Sequence, residues 1–248
     1  MIKFFRHIRQ RLIKENRFSK YLLYAIGEII LVVIGILFAL QINNWNENRK
    51  TKNLEQKILK ELYVNLSIDL EEIQGDVSFM DNINSASLEV EEFIDTNEFP
   101  NDSIFKIISI LRVTPHFDPN KSGYQLLQSK GVEVISNDSL RNDISLLYER
   151  SYPYYKRYEE ERLRFHALHS EPILLKYFTM HFNLSRKYYG EFKISQEDYN
   201  KIRTDDAFRK LLSAIAFENS AVQSRGEGVI KLIKSLLKSI EKEISDNL

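Results

Sequence analysis

The sequence predicts an all-α protein with an N-terminal amphipathic segment, one transmembrane helix and an elongated antiparallel helical bundle. Three observations support this fold class. Residues 21–42 form an apolar stretch of membrane-spanning length. Apolar residues then recur every three or four positions from Leu54 to Ile83, which is the period of one helical face. Eight glycines and five prolines among 248 residues leave little turn chemistry.

Residues 1–20 are predicted to be a basic, amphipathic and cytoplasmic segment. Apolar side chains such as Phe5 and Leu12 lie near one helical stripe. One acidic residue, Glu15, stands among seven basic residues: Lys3, Arg6, Arg9, Arg11, Lys14, Arg17 and Lys20. Such a helix suits the surface of an anionic leaflet. The simpler interpretation is a topology signal without lipid specificity.

Residues 21–42 are predicted to be a transmembrane helix. Their sequence is YLLYAIGEIILVVIGILFALQI, with one charged residue, Glu28. At a rise of about 1.5 Å per residue this helix is about 33 Å long, enough for a hydrocarbon core of about 30 Å. Only three basic residues follow closely, Arg49, Lys50 and Lys52. The positive-inside rule therefore predicts a cytoplasmic N-terminus and an extracytoplasmic C-terminal domain.

A cleaved signal peptide is the alternative interpretation of this stretch. Residues 29–40 have the length of an apolar signal core after a positive segment. The basic region would be unusually long, however, and Gln41 stands where a small residue is needed before cleavage. An uncleaved signal anchor of a cell inner membrane is therefore expected.

The span is expected to contact a partner through one face. At helical spacing Glu28, Val32, Gly35 and Ala39 share that face. Gly35 and Ala39 form a pair of small residues that lets another helix approach closely. An ionisable residue in a span is costly and usually faces a partner or water. We favour self-association or docking of another membrane protein at this face. One alternative is that Glu28 is protonated or snorkels and has no special role. A second alternative is that Glu28 couples proton movement.

Residues 43–95 are predicted to be a long stalk and bundle helix. Since no glycine or proline lies between Gly35 and Gly75, the span is able to continue into it. Four asparagines around Trp45 weaken that continuity, because asparagine favours caps and turns, while Trp45 suits the outer membrane interface.

Residues 96–136 are predicted to hold short helices and loops, and 137–248 the remainder of the bundle. Short helices are expected at 103–111 and at 121–130, where Gly131 is a natural C-cap, and residues 132–135 alternate weakly like a strand. A helix is expected from Leu140 to about Ser170, kinked or split by Pro153. Two more helices, 205–217 and 222 to the C-terminus, follow, and the last has an apolar seam long enough to lie along the first helix.

The order of several segments resembles an uncharacterised bacterial family of small single-pass membrane proteins, a domain-of-unknown-function family. The segments are KYLLYAIGEIILVVIGILFALQINNWNENRK, then EQKILKEL, and later GYQLLQSKGVEVISNDSLRNDISLLYE. The similarity is most specific in residues 18–62 and extends to 115–150. It implies a bacterial inner-membrane protein and implies no activity or catalytic residue.

Tyrosines around Pro153 are the candidate ligand pocket of the outer domain. Tyr148, Tyr152 and Tyr155 are interleaved with basic residues, which suits a sugar or aromatic ligand held by stacking and cation–π contacts. Such clusters are more often core packing, and this alternative stays open.

No metal, cofactor or catalytic site is expected. His166 and His169 share a helical face and, together with His116 or His181, are candidate metal ligands. One turn earlier on that face, however, stands Arg162, a cation where a metal ligand is needed. The sequence has no cysteine, no GxSxG and no phosphate-binding glycine loop. Residues 43–248 carry 28 basic and 33 acidic side chains, which disfavours nucleic acid as a partner.

These observations predict a non-enzymatic, membrane-anchored helical interaction or scaffold protein with an extracytoplasmic domain. Its expected partners are the lipid bilayer and either a second copy or another membrane protein. One alternative is an accessory or proton-coupling subunit of a transport or energy-coupling complex that uses Glu28. A second alternative is an extracytoplasmic ligand-sensing module.

Overall fold

A computed structural model describes residues 18–182 and 190–246 of the chain. The amphipathic segment predicted for residues 1–20 lies almost wholly outside the described residues. The chain divides into two compact units between Glu55 and Gln56. Helices dominate and a single two-stranded sheet is present in the described part, so the predicted all-α fold class is confirmed.

Helix α1 (Phe18–Ile94) is 77 residues long, begins in the first unit and ends in the second. It passes Trp45 and the neighbouring asparagines without a break, so the span and the predicted stalk are one helix. Contacts one turn apart support this stretch: Lys50 Nζ lies 2.9 Å from Glu47 Oε1, and Arg49 lies over the Trp45 ring. These contacts offset the preference of asparagine for turns.

The apolar part of α1 is long enough, by length and composition, to cross a membrane. Its most apolar window has no buried residue, and side chains such as Leu23, Leu31 and Phe38 are exposed. An apolar helix with no protein cover suits a lipid environment, because lipid supplies the apolar contacts that water does not.

The second unit completes α1 with further elements in a fixed order. They are α2 (Asp102–Ile110), α3 (Ser122–Lys130), α4 (Asp138–Leu146), α5 (Tyr152–Phe165), α6 (Glu171–Tyr177), β1 (Phe178–Phe182), β2 (Gly190–Ile194), α7 (Gln196–Ile202) and α8 (Asp206–Asp246). Local capping begins several of these helices. Asn101 accepts hydrogen bonds from the backbone N–H groups of Ser103 and Ile104, and Asn137 accepts one from Leu140.

Helices α4, α5 and α6 follow one another through two π-helical turns, Leu147–Ser151 and His166–Ser170. Pro153 and Pro172 stand at the second position of the helix that follows each turn. A proline has no N–H and its ring clashes with the carbonyl four residues earlier. Because that carbonyl lies in the π-helical turn in both cases, the wider turn accommodates each proline. Pro153 therefore neither ends nor splits the helical path.

The structure differs from the sequence-based expectations at two places. Residues Val132–Val134 form a 3₁₀ helix instead of a strand, and Gly131 before them has a φ of 91° that favours glycine. The strands lie elsewhere: β1 and β2 pair antiparallel, with Phe178 opposite Ile194. The two C-terminal helices expected at 205–217 and from 222 are one helix, because the buried seam continues through Asn219 and Val222.

Helix α8 runs antiparallel along α1 within the second unit, as its apolar seam predicts. Arg209 pairs with Asp95 at 2.5 Å, and Gln223 pairs with Asp81 at 2.7 Å. Near the other end of α8, Gln56 Nε2 donates to the Glu243 carbonyl at 3.5 Å. The hairpin joins the core at the Ile94 end of α1, where Ser109 Oγ accepts from Phe192 N at 2.8 Å.

Candidate functional site

The predicted partner face of the span is open in the first unit. Val32 and Ala39 are exposed, and a Cβ added at Gly35 would meet nothing within 4 Å. Glu28 is half-buried and borders a shallow cleft of about 310 Å³ with Ala25, Ile29 and neighbouring valines. This face therefore has room for a second helix at the small residues. Its contact with a partner stays a prediction.

In the second unit, a group of buried polar side chains, which we call the polar centre, holds the segment 113–121 between α2 and α3 against α1. Asp69 is fully buried; its Oδ1 accepts from Asn120 N at 3.0 Å and Asn120 Nδ2 at 2.7 Å, and its Oδ2 accepts from the Tyr152 hydroxyl at 2.7 Å. One turn earlier, Asn65 Oδ1 accepts from Gly123 N at 2.9 Å. The side chains of α1 thus take the place of regular backbone partners for this irregular segment.

Helix α5 binds the other side of the same segment through two buried charged residues. Glu159 Oε1 accepts from the Phe117 N–H at 3.1 Å. Arg162 donates to the Pro115 carbonyl and, at 3.1 Å, to Asn219 Oδ1 on α8. Both charged side chains are only 2% exposed, so their hydrogen bonds to the segment compensate for lost hydration.

Burial dominates the electrostatics of this centre. It raises the pKa of Glu159 to about 7 and that of Asp76, on the facing part of α1, to about 6. Burial also lowers the pKa of Arg162, although the Glu159 carboxylate opposes that change. Perturbed acids of this kind are common in functional sites. Here Glu159 is engaged by backbone, so its observed role is to hold the 113–121 segment in place.

The three tyrosines of the predicted ligand pocket belong to the core. Tyr148, Tyr152 and Tyr155 are 6%, 3% and 1% exposed. Tyr148 stacks on Tyr124 at 4.5 Å between ring centroids and donates to the Asn120 carbonyl at 3.2 Å. Most of their surface therefore contributes packing, which is the alternative that the sequence left open.

The same tyrosines nevertheless form the inner edges of two grooves. Tyr148 and Tyr152 border a groove of about 340 Å³ beside Phe117, Pro153 and Lys156. Tyr155 borders a groove of about 450 Å³ between α5 and α8. Ligand binding at the tyrosines stays a prediction, and the grooves indicate where a ligand has access.

We call the larger cleft the α5–α8 groove. It is lined by Arg150, Ser151, Tyr154, Tyr155, Arg225, Gly228, Val229 and Leu232. The sequence already placed Arg150 beside the tyrosines, but sequence reasoning missed Arg225 and Gly228. Both lie on α8, far from α5 in the sequence, and no local motif links them to Arg150, so only the pairing of α5 with α8 brings them together.

Neither His166 nor His169, the predicted histidine pair, lines these two grooves. Burial lowers the pKa of His166, whereas the ring of His169 packs on Phe165 at 5.5 Å. Within the ranges 18–182 and 190–246, no group of three or more histidine, cysteine, aspartate and glutamate side chains has a metal-binding arrangement.

Comparison with known proteins assigns residues 28–173 to a family of unknown function, DUF6090. The matched range includes Glu28 and the rest of the apolar face, the polar centre and Arg150 of the α5–α8 groove. It ends before the hairpin and α8. No curated protein and no solved structure matches the chain.

Proposed function

We propose, from the premise that this chain belongs to the DUF6090 family of unknown function, that it is a single-pass membrane protein that works by binding other proteins. Its N-terminus is cytoplasmic, its span lies in a bacterial inner membrane and its helical domain is extracytoplasmic. The observation that carries the proposal is the uncovered apolar helix with an open face of small residues beside Glu28. The protein is a scaffold or interaction partner and not an enzyme.

The charge distribution around the span supports this orientation. Seven basic residues precede residue 21, whereas three follow shortly after residue 42. Two separate fusions after Leu248, one to alkaline phosphatase and one to a fluorescent protein, report opposite sides of the membrane for the C-terminus. An active phosphatase with a dark fluorescent protein is the expected result. The reverse pattern would overturn the orientation.

The face around Gly35 supports self-association through the span. Ala39 lies on this face, and Leu37 lies about 180° away on the same helix at about 100° per residue. Because the chain has no cysteine, a single substitution gives one defined cross-linking position. Oxidation of membranes that contain the Ala39→Cys variant should yield a disulfide-linked dimer.

The Leu37→Cys variant is the matched control, since it places the thiol at a similar depth on the opposite face. Equal cross-linking of both variants, or of neither, would contradict a self-associating face. Adding Glu28→Gln to Ala39→Cys then tests the acid. We expect weaker cross-linking, because polar contacts between helices in a membrane contribute about 1 kcal/mol.

A further inference from the structure

The α5–α8 groove has the size of a small-molecule site. Its volume is about 450 Å³, inside the range of about 300 to 1,000 Å³ that is typical of such sites. It is made by the π-helical turn before α5, by the first turn of α5 and by two turns of α8. All of these elements belong to the second unit.

Two of the eight residues that line this groove, Arg150 and Arg225, are arginines. Arg225 lies over the Tyr158 ring at 4.1 Å from its centroid, and its guanidinium donates to the Tyr158 hydroxyl at 3.2 Å and the Ala221 carbonyl at 3.0 Å. These partners are uncharged and hold the guanidinium in one orientation. In the part of the chain that the structure describes, neither Arg150 nor Arg225 has an ion pair with a carboxylate, and no acidic residue lines the groove.

The remainder of the groove is apolar. Leu232 and the ring of Tyr154, 37% and 46% exposed, contribute the accessible apolar surface, and the buried Val229 and Tyr155 lie beneath them. Gly228 also lines the groove and faces open space, since a Cβ added there would meet nothing within 4 Å. Two cations beside an apolar wall match a ligand with an anionic head and an apolar body.

We propose that the α5–α8 groove binds a small organic anion with an aromatic or aliphatic body, such as an aryl carboxylate. Arg150 and Arg225 bind the carboxylate, and Leu232 and Tyr154 contact the body. Arginine suits this role because its planar guanidinium binds carboxylates through two parallel hydrogen bonds. The site is independent of the partner face on the span and of the membrane orientation proposed above.

The test uses two water-soluble probes that differ in charge but little in shape, 4-fluorobenzoate and 4-fluorobenzamide. Each is titrated against the full chain in lipid nanodiscs and followed by fluorine NMR, with empty nanodiscs as the blank. The benzoate signal should broaden more with protein than with empty nanodiscs, and the benzamide signal should not. Equal broadening of both probes, or no protein-dependent broadening of the benzoate up to about 10 mM, would overturn the proposal.

Variants then locate the site. Arg150→Gln and Arg225→Gln should each weaken benzoate binding about tenfold, the effect of losing a charge-assisted hydrogen bond. Arg164→Gln, an exposed arginine of α5 outside the groove, should leave binding unchanged. Gly228→Leu should abolish binding by filling the groove, whereas Gly75→Leu, at another open helical glycine, should not. A loss of binding in the two control variants equal to that in the groove variants would place the probe elsewhere.

Discussion

The Tyr152 hydroxyl donates a hydrogen bond of 2.7 Å to Asp69 Oδ2 and so joins α5 to α1 across 83 residues of sequence. Asp69 uses its other carboxylate oxygen to bind Asn120. One buried carboxylate therefore connects three parts of the second unit. Burial raises the pKa of Asp69, although all of these hydrogen bonds favour the ionised form.

Removal of the Tyr152 hydroxyl should destabilise the second unit. Tyr152→Phe keeps the ring and its packing against Phe117 but leaves Asp69 Oδ2 without this donor. An unsatisfied buried acceptor costs about 1 to 3 kcal/mol, and we expect the free energy of unfolding to fall by that amount. Urea unfolding of the full chain in detergent, followed by near-ultraviolet circular dichroism, measures the change.

Tyr154→Phe is the control for this substitution. Tyr154 is 46% exposed, and its hydroxyl lies 3.2 Å from the Tyr158 hydroxyl at the surface. Its loss should change the free energy of unfolding by less than about 0.5 kcal/mol. If both variants lowered the free energy of unfolding by similar amounts, the hydrogen bond from Tyr152 to Asp69 would not contribute more to stability than an exposed one.

Two glycines of α8 should respond oppositely to alanine. A Cβ at Gly226 would lie 2.8 Å from Val77 Cγ2 and 3.3 Å from the Tyr155 hydroxyl, so Gly226→Ala forces apart the α1–α5–α8 contact. We expect a loss of about 1 to 3 kcal/mol in stability. Gly228→Ala meets open space and should stabilise α8 by about 0.5 to 1 kcal/mol, since alanine has the higher helix propensity.

Thermal unfolding of both glycine variants by circular dichroism measures the contrast. Gly75→Ala, at an open position of α1, serves as a second control and should also raise Tm. If Gly226→Ala raised Tm as much as these two variants, the close approach of α8 to Val77 would not limit the size of the side chain at position 226.

The contribution of two buried acids to the stability of the second unit should fall as pH rises from about 4 to about 7. The pKa values of Glu159 and Asp76 are raised by burial from ordinary values of 4.5 and 3.8 to about 7 and about 6. The folded state therefore binds more protons than the unfolded state between pH 4 and 7. Stability from these groups is present below their unfolded pKa values and is lost as pH rises through the folded values.

Glu159→Gln should flatten this dependence, because it removes one proton-binding group and keeps an acceptor for the Phe117 N–H. Nearby Arg162 favours the ionised form of both acids. Burial lowers the pKa of His166, so this residue makes stability rise with pH and opposes the effect of the acids. Tm measured at intervals between about pH 5 and pH 8 for both proteins tests this linkage. The control is Glu160→Gln at the exposed neighbouring position, and an equal slope change there would refute the assignment to Glu159.

The sequence by itself determined the features that depend on local chemistry. Residues 21–42 predicted a helix fit to cross a membrane, because a long apolar run satisfies its backbone internally and needs no water. The three-and-four spacing from Leu54 to Ile83 predicted the long helix, and the apolar seam of α8 predicted its place along α1. The caps at Asn101 and Asn137 depend on equally local chemistry, because each side chain accepts hydrogen bonds from backbone N–H groups a few residues later.

The tertiary structure decided what depends on residues far apart in the chain. The segment 113–121 takes its shape from Asp69 and Glu159, which supply hydrogen bonds that the segment cannot make locally. The strands depend on pairing between Phe178 and Ile194, and neither strand alternates clearly enough to be recognised alone. The α5–α8 groove exists only because α8 brings Arg225 beside α5. Burial of the tyrosines was likewise undetermined, since an aromatic side chain suits a core and a ligand pocket equally until its neighbours are in place.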